Sequence, residues 1–534
     1  MASRPARNLL FGSEARLALL RGANVLVDTV QPTLGPAGRS VIIERPFAKP
    51  VIARNGYAIA KHIHLADPME NMGVRAVREV AWRTSDEVGD GTTTAMVLTR
   101  AMVAEGVKAA SMGMNPRQLQ LGFDRASEVV LHALERLSRP AKSDEQITQV
   151  GTLATGGDTE MGAMLGDAVA RVGVDGFVLV EDGHGRASQL DIREGMHLDQ
   201  GYVSAHFVTD EEQMLVELED PYILLHLGKI TELGAVVPAL NAFAKADKPL
   251  LFIAEDVTGE ALSALVVNKL KAGFKVAAAK APGFGTWRQP MLEDIAIATG
   301  GQVVADDLGT TLENLRPEML GRAQRVRIGK DSTTIINGAG EPEDIEFRVR
   351  QLRAAIEREK HLSYDREQLQ QRLARLVSGI AVVRVGGATD TEIDERKERV
   401  TAAVHTARAA VAEGLVVGGG AALVHASKAL DRLRPENDDQ YAAIRIVRAA
   451  LAAPACCIAD NLGVDGRWAV AQLLETDDPC QGFDANTGRL GDLFEAGIID
   501  ATKVVATACR NAASTAARIV TSEAAIAPLE ELKA

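Results

Sequence analysis

The sequence predicts a multidomain protein of the α and α/β classes, in which two helical ends enclose an α/β middle. Its 534 residues are too many for one hydrophobic core, so two or three domains are expected. Both ends show helical periodicity broken by glycine-rich loops, whereas residues 194–380 alternate between strand-like and helix-like segments. The chain is therefore expected to leave one domain and later return to it.

The composition narrows the classes of function that are expected for this protein. The hydrophobic content of 46% and charged content of 25% are typical of a soluble globular protein. With 59 basic and 72 acidic residues the net charge is −13, and without a basic stripe we expect no nucleic-acid partner. The sequence contains no uninterrupted apolar run of about 18 residues, so no membrane-spanning helix is predicted. The four cysteines lack C-x-x-C spacing and the first residues lack a secretory pattern, so we expect a cytoplasmic protein.

The N-terminal part, residues 1–136, is predicted to be mostly helical, with a hairpin near residues 40–60. In VIARNGYAIA (residues 51–60), Asn55-Gly56 is the dipeptide that most favours a type I′ turn, so the two apolar halves are expected to pair. LQLGFDRASEVVLHALERLSRPA (residues 119–141) is predicted to form an amphipathic helix that ends at Pro140.

The middle of the chain has the pattern of a βαβ series. PLLFIAED, FKVAAAKAP and QVVAD are predicted strands, and GEALSALVVNKL and MLEDIAIATG are the helices between them. The upstream segment GFVLVED is a further predicted strand. This order predicts an α/β layer with a partly parallel sheet.

A long helix is predicted from TDTEIDERKERVTAAVHTARAAVAEG, residues 389–414. Thr389 followed by Glu392 forms a capping-box pattern at its start. The rest of the chain is again predicted to be helical with glycine loops.

The sharpest chemical motif is VGDGTTTAMVLTRAMV, residues 88–103. Gly89 and Gly91 allow the backbone to approach a ligand, Thr92–Thr94 present hydroxyls, and the following helix directs free N–H groups at the loop. Asp90 would repel phosphate unless a cation lies between them, so the loop predicts Mg²⁺ held by Asp90. An ordinary helix N-cap is the alternative that the loop alone leaves open.

Two further loops could complete a nucleotide site. PTLGPAGRS (residues 32–40) and LVVGGGAAL (residues 415–423) each combine glycines with a neighbouring regular element. Either is weak evidence alone. Three such loops at the two ends of a nested chain favour a split nucleotide site.

These stretches, together with ENMG, GYVSAHF and KAPGFG, resemble the bacterial group I chaperonins of the GroEL type along essentially the whole chain. The resemblance implies a helical equatorial ATP-binding domain (1–136 and 413–534), a small intermediate domain (137–193 and 381–412) and an α/β apical domain (194–380). It places hinges at Gly195 and Gly379. It also implies a homo-oligomer of two stacked seven-membered rings that takes unfolded client proteins and uses a co-chaperonin lid.

The resemblance assigns site residues by position. ATP and Mg²⁺ would contact Thr33, Leu34, Gly35, Pro36, Arg54, Asp90, Gly91, Thr92, Thr93, Thr94, Gly419, Ala485, Asn486 and Asp500. Client proteins would contact Tyr202, Ser204, Phe207, Val237, Leu240, Leu262, Val266 and Val267. His206 stands where the family usually has an aromatic residue.

Two departures from the family's pattern concern ATP hydrolysis. Asn55 and Ala402 occupy positions where the family carries aspartates that orient and activate the attacking water. The sequence therefore predicts a divergent chaperonin paralogue with weakened ATP hydrolysis, which serves a dedicated client rather than many proteins. The alternatives are a general chaperonin whose water is held by other groups, and a non-cycling scaffold ring or subunit of mixed rings with a standard chaperonin.

Overall fold

The structure is a computed structural model of the chain. It describes residues 7–44, 50–141, 143–172, 177–183, 185–193, 195–211, 213–232, 234, 237, 248–305, 310–358, 364–377 and 379–528. The chain divides into two compact units. Unit 1 comprises Met1–Asp167, Asp182–Ser188 and Val385–Ala534, and unit 2 comprises Ala168–Glu181 and Gln189–Arg384.

Unit 1 is built mainly from helices contributed by both ends of the chain. The N-terminal part contributes α1 (Gly12–Val30), α2 (Gly56–Ala60), α3 (Pro68–Val88), α4 (Thr92–Ser111), α5 (Pro116–Leu137), α6 (Asp144–Ala154) and most of α7 (Thr159–Val172). Helices α8 to α11 belong to unit 2 and are given below. The C-terminal part contributes α12 (Asp390–Glu413), α13 (Ala421–Ser427), α14 (Asp438–Leu451), α15 (Ala453–Leu462), α16 (Gly466–Glu475) and α17 (Thr502–Thr521). The main core lies where α4 and α5 pack against α14 and α17. The two ends of the chain therefore share one core, while the three predicted domain boundaries stay a prediction.

Short antiparallel ladders complete unit 1. Strands β1 (Arg7–Phe11) and β19 (Ala524–Pro528) pair, as do β2 (Val41–Ile43) with β3 (Val51–Ala53), β15 (Leu415–Val417) with β18 (Ile499–Ala501), and β16 (Gln481–Asp484) with β17 (Arg489–Asp492). The β15–β18 pair joins the start of the glycine loop at residue 418 to the start of α17.

The predicted turn at Asn55-Gly56 is wrong. The hairpin in this region is β2–β3, and Asn55 lies after it with φ −71° and ψ 125°. A type I′ turn needs positive φ at both central residues. Asn55 instead caps α2, because its Oδ1 accepts a hydrogen bond from the N–H of Ala58 at 3.0 Å.

The predicted capping box at the start of α12 forms, but one of its two hydrogen bonds is shifted by one residue. The Thr389 hydroxyl accepts a hydrogen bond from the N–H of Glu392 at 3.3 Å, as predicted. The Glu392 carboxylate accepts from the N–H of Ala388 at 2.9 Å, one residue before the cap.

Unit 2 contains the predicted α/β layer. Its large sheet has the order β10-β9-β8-β12-β13-β6, with β11 on β8 and β7 on β12. The strands are β6 (Gly195–Leu198), β7 (Val216–Glu219), β8 (Tyr222–Ile230), β9 (Leu250–Val257), β10 (Val276–Lys280), β11 (Val303–Val304), β12 (Gly321–Ile328) and β13 (Thr333–Gly338). Strands β8, β9, β10 and β11 are parallel and the others antiparallel, which confirms the partly parallel sheet.

Helices cover this sheet, and a smaller sheet accompanies it. The helices are α8 (Gly259–Ala272), α9 (Arg288–Thr299), α10 (Pro342–Arg358) and α11 (Tyr364–Val377). The smaller sheet has the order β4-β14-β5, formed by β4 (Phe177–Asp182), β5 (Gln189–Arg193) and β14 (Ile380–Val385). The predicted fold class of combined α and α/β structure is confirmed.

One helical stretch, Asp438–Leu462, has the length and mean hydropathy (1.7) of a membrane span. It consists of α14 and α15. Ala443, Val447 and Leu451 from this stretch are buried in the main core of unit 1. Packing inside a folded domain therefore accounts for its apolar character.

The α1–α3 crossing yields a stability prediction. A Cβ on Gly73 would lie 2.0 Å from the carbonyl oxygen of Leu19, so two backbones meet where no side chain fits. Gly73→Ala should lower the free energy of unfolding by about 2 kcal/mol despite alanine's better helix propensity. Gly491→Ala is the control, because nothing lies within 4 Å of that position. Equal thermal unfolding of the two variants would contradict this packing.

Candidate functional site

The turn between α3 and α4 is the centre of the candidate site. Gly89 and Gly91 both have φ +78°, a left-handed conformation that favours glycine. A Cβ on Gly89 would lie 2.3 Å from the carbonyl oxygen of Ala402, and one on Gly91 would lie 2.8 Å from Cγ1 of Val504. Helices α12 and α17 thus press on the turn and fix the position of Asp90.

Two carboxylates influence each other at this turn. Asp90 Oδ1 accepts a hydrogen bond from the N–H of Gly91 at 2.6 Å, and the residue is exposed to solvent. Partial desolvation by the surrounding protein raises the pKa of Asp90, against the effect of that hydrogen bond. Burial and the negative charge of Asp90 raise the pKa of Asp500 to about 7. A cation between the two would relieve this repulsion.

The threonines that follow begin α4. Ala95 N–H bonds to Gly91 carbonyl oxygen at 2.9 Å, so the N–H groups of the first turn have no intrahelical partner. Thr92 and Thr93 are largely buried and Thr94 is half-buried. Free N–H groups and hydroxyls at a helix N-terminus can bind phosphate oxygens.

The Asn55 turn lies directly on this helix start. A Cβ on Gly56 would lie 2.2 Å from the Thr93 hydroxyl oxygen and 3.2 Å from that of Thr92. Because Asn55 Oδ1 is used by the α2 cap, its amide NH₂ is the remaining polar group. The structure therefore brings the first altered position next to the threonines.

Helix α12 brings the second altered position to the same turn. The Thr406 hydroxyl donates to the carbonyl oxygen of Val88 at 3.2 Å, and the Ala402 backbone touches Gly89. Thus Ala402 presents a methyl group beside the turn that carries Asp90.

His405 lies on this face of α12 as well, and the sequence analysis did not single it out. A Cβ on Gly89 would lie 2.9 Å from the Cβ of His405. Burial and the charge of Arg408 lower the pKa of His405, while Asp86 opposes them. Its spacing of three residues from Ala402 was the available signal, because helical neighbours at that spacing share a face.

The loop at residues 31–36 is held by side chains. Asn461 Nδ2 donates to the carbonyl oxygens of Gln31 at 3.0 Å and Leu34 at 2.9 Å. The Arg54 guanidinium donates to the carbonyl oxygen of Gly38. Arg54 therefore positions the loop that carries Thr33, Leu34, Gly35 and Pro36.

A small apolar cluster adjoins this loop. Leu34 packs against a buried cluster that contains Ile458, Phe483 and Ala485. Gly419 (φ +62°) belongs to the glycine loop after β15, and a Cβ on it would lie 3.5 Å from the carbonyl oxygen of Phe483. Asn486 follows Ala485 in the β16–β17 turn, where its N–H donates to Asp484 Oδ1 at 2.8 Å. An apolar surface with nearby backbone groups suits a nucleotide base.

Strand pairing links this apolar cluster to the carboxylates. Asp500 lies opposite Val416 in the β15–β18 ladder, two residues before the start of α17. Val504 of α17 contacts Gly91. Through these contacts the candidate residues from seven segments of unit 1 join one continuous region.

Magnesium fits the donors of this region. Mg²⁺ prefers oxygen ligands and is often bound by one or two carboxylates together with substrate phosphates. The described residues contain no group of three or more His, Cys, Asp or Glu side chains arranged for a metal. Asp90 would thus hold Mg²⁺ with its remaining ligands supplied largely by oxygens from a phosphate or water.

In unit 2 the candidate client residues other than Val237 and Leu240 fall on α8 and on the segment 202–208. We call the surface formed by these two elements the α8 groove. Val267 is 47% exposed, and Leu262 and Val266 are half-buried. Tyr202 and Ser204 are also half-buried, and Val237 is exposed. Leu240 lies outside the described residues.

Phe207 does not match its assigned role. Its side chain is fully buried in the core of unit 2, so it supports the α8 groove from below rather than lining it. An exposed neighbour that the sequence analysis missed is Leu270, at 66% exposure. Its place one turn after Val266 on α8 was the available signal.

The proposed hinge glycines stay a prediction. Gly195 starts β6, and a Cβ there would lie 2.4 Å from Cδ1 of Ile380. Gly379 directly precedes β14 and is half-buried. Close packing, rather than positive φ, is what requires glycine at residue 195.

Comparison with known proteins identifies the class. The sequence pattern of the TCP-1/cpn60 chaperonin family matches residues 26–231 and 227–528. A similar solved structure is the chaperonin gp146 from the bacteriophage EL 2 (Pseudomonas aeruginosa), crystallised in the presence of ATP-BeFx. Its crystal form II has a TM-score of 0.71 at 20% identity, covering 98% of this chain and 99% of that one. Crystal form I has a TM-score of 0.67 at 20% identity, with the same coverage of 98% and 99%.

The chain therefore belongs to the TCP-1/cpn60 chaperonin family. Within that class it is a divergent chaperonin of the GroEL type, as the sequence resemblance implied.

Asp500 yields a pH prediction. Its carboxyl has a pKa of about 7 in the folded protein and near 3.8 when unfolded, so the folded state holds a proton that the unfolded state releases. Folding stability should thus fall as the pH rises from about 4 to about 7 and level off above it. Relative to Asp500→Asn, the melting temperature of wild-type protein in EDTA should drop by a few degrees across this window. A difference that does not change with pH would contradict the pKa.

Proposed function

We propose that this chain is an ATP-dependent chaperone that assists protein folding or assembly as a ring-shaped cytoplasmic homo-oligomer. The observation that supports this most is the convergence on one region of the glycine turn at Asp90, the free N-terminus of α4 and the loops at residues 33–36 and 418–420. The solved chaperonin gp146 was crystallised with an ATP analogue, which supports a nucleotide ligand here too.

The roles of the residues follow from their chemistry. The N–H groups of the first turn of α4 and the hydroxyls of Thr92–Thr94 would bind phosphate oxygens. Leu34 and Ala485 would contact the base, and Asp500 would lie near the ribose. Bound Mg²⁺ would supply positive charge between Asp90 and the phosphates.

Asp90 can be tested directly. Asp90→Asn keeps the shape of the side chain but removes the charge that would hold Mg²⁺. Affinity for a fluorescent ATP analogue should lose its dependence on magnesium, measured with Mg²⁺ and with EDTA. The control is Asp86→Asn, which removes an exposed carboxylate four residues earlier. Magnesium-dependent binding that survives in Asp90→Asn would refute this role.

Hydrolysis should be weak. The Asn55 amide offers NH₂ donors beside the threonines, and these can hold a water but cannot accept its proton. Ala402 can do neither. Loss of a positioned base typically lowers a rate by about 10²–10⁴-fold. ATP would then act as a long-lived conformational ligand.

Restoring the acids tests this proposal. Asn55→Asp should keep the α2 cap, since aspartate caps as well as asparagine, and add an oxygen that accepts a proton. Asn55→Asp with Ala402→Asp should raise turnover by about 10²-fold, more than either change alone. Because Asn-Gly pairs deamidate, each sample must be checked by mass. No gain in the double variant would argue against the proposal.

His405 is the group that could support the alternative of a general chaperonin with normal ATP turnover. A general chaperonin with normal turnover would need another proton acceptor near Ala402, and a neutral imidazole can serve. In that case His405→Gln would abolish the wild-type turnover. In the proposal made here, His405→Gln leaves an already slow rate unchanged.

A non-cycling scaffold ring is the second candidate function. The loss of both acidic side chains favours it, because such a ring needs no turnover. Particle mass and refolding of a denatured enzyme separate the two functions. A ring that binds ATP but never improves refolding yield, alone, with a lid protein or mixed with a standard chaperonin, would favour the scaffold.

The α8 groove is proposed to bind client proteins, since exposed apolar surface marks interaction sites. Val267→Ser should weaken capture of an unfolded protein about fivefold through lost apolar burial, with little change in melting temperature. Val377→Ser is the matched control, because that valine is 54% exposed on α11. Equal capture by the two variants, or a large loss of stability in Val267→Ser, would contradict the assignment.

A further inference from the structure

Lys269 joins the two elements of the α8 groove. Its Nζ donates hydrogen bonds to the carbonyl oxygens of His206 at 2.9 Å and Val208 at 2.6 Å. These carbonyls belong to the short 3₁₀ turn Ala205–Phe207 and the residue after it. The aliphatic part of the lysine therefore crosses from α8 to the opposite edge of the groove.

The charge of Lys269 is incompletely compensated. An ammonium has three N–H donors, and two of them are used by the carbonyls. Among the described residues no carboxylate lies within ion-pair distance of it, and desolvation alone lowers its pKa. A partly buried cation that lacks a counter-ion is stabilised by any carboxylate brought to it.

The surroundings of Lys269 are apolar and basic. Val266, three residues before Lys269 on the same face of α8, is half-buried, Val267 and Leu270 of that helix are exposed, and His206 and Lys271 are exposed as well. The acidic residue on α8, Glu260, lies nine residues away in its first turn, or roughly 14 Å along the helix. On the other edge, the Asp210 carboxylate accepts from the N–H of Gln213 at 3.1 Å.

We propose that the α8 groove prefers extended apolar segments that carry a carboxylate, and that Lys269 determines this preference. The proposal rests on the proposed client-binding function and specifies its substrate class. Charge complementarity supports it: the chain as a whole carries a net charge of −13, yet among the described residues no carboxylate lies within ion-pair distance of Lys269 at this end of the groove. The carbonyl bonds hold the ammonium in place, so a bound carboxylate meets a preorganised donor.

The test compares two labelled peptides, an apolar segment with one central glutamate and its glutamine twin. Binding to the full-length protein is measured by fluorescence anisotropy. The glutamate peptide should bind wild-type protein at least about fivefold more tightly. Lys269→Met should abolish the preference, whereas Lys269→Arg and the control Lys271→Met should keep it. High salt should reduce it.

Two results would overturn the proposal. One is equal binding of both peptides to wild-type protein, and the other is a preference that persists in Lys269→Met. If Lys269→Met does not fold, the binding of the two peptides to wild-type protein and to Lys269→Arg still tests the proposal. Failure of both peptides to bind wild-type protein would instead reject the client-binding function itself, and this proposal with it.

Discussion

The site depends on the lack of space around one glycine turn. Between α3 and α4 the chain reverses through Gly89 and Gly91, and each meets a neighbouring helix so closely that a Cβ would not fit. Because α12 and α17 press on it from both sides, Asp90 has a fixed place at the head of α4. The contacts of Gly56 and Ala402 are arranged around this same turn. In the proposed function, nucleotide binding and hydrolysis would therefore depend on different residues that share one scaffold.

Much of this arrangement could be predicted from local sequence. The motif around residues 88–103 contains its own helix start, and the parallel strands of unit 2 follow from apolar runs between helical segments. Asn55 could not be predicted this way, because asparagine before glycine suits a type I′ turn and a helix cap equally. Gly56 and Thr93 are distant in sequence, and their contact is found together with this helix cap only in the folded structure.

The groove shows a second limit of sequence reasoning. A resemblance transfers residues by position but not by orientation, so Phe207 was assigned to the surface although it fills the core. Lys269 was missed for the opposite reason. A lysine on a helix is expected to extend into water, and only the carbonyls of His206 and Val208 reveal its role. Both cases depend on tertiary contacts that periodicity does not encode.

The central claim is that nucleotide binding is retained while hydrolysis is lost. The most direct measurement combines the affinity for Mg-ATP with the rate of phosphate release, on fresh wild-type protein shown by mass to be undeamidated. We predict ordinary binding together with turnover at least about 10²-fold below that of a chaperonin carrying both acids. Ordinary binding together with normal family turnover would contradict the account.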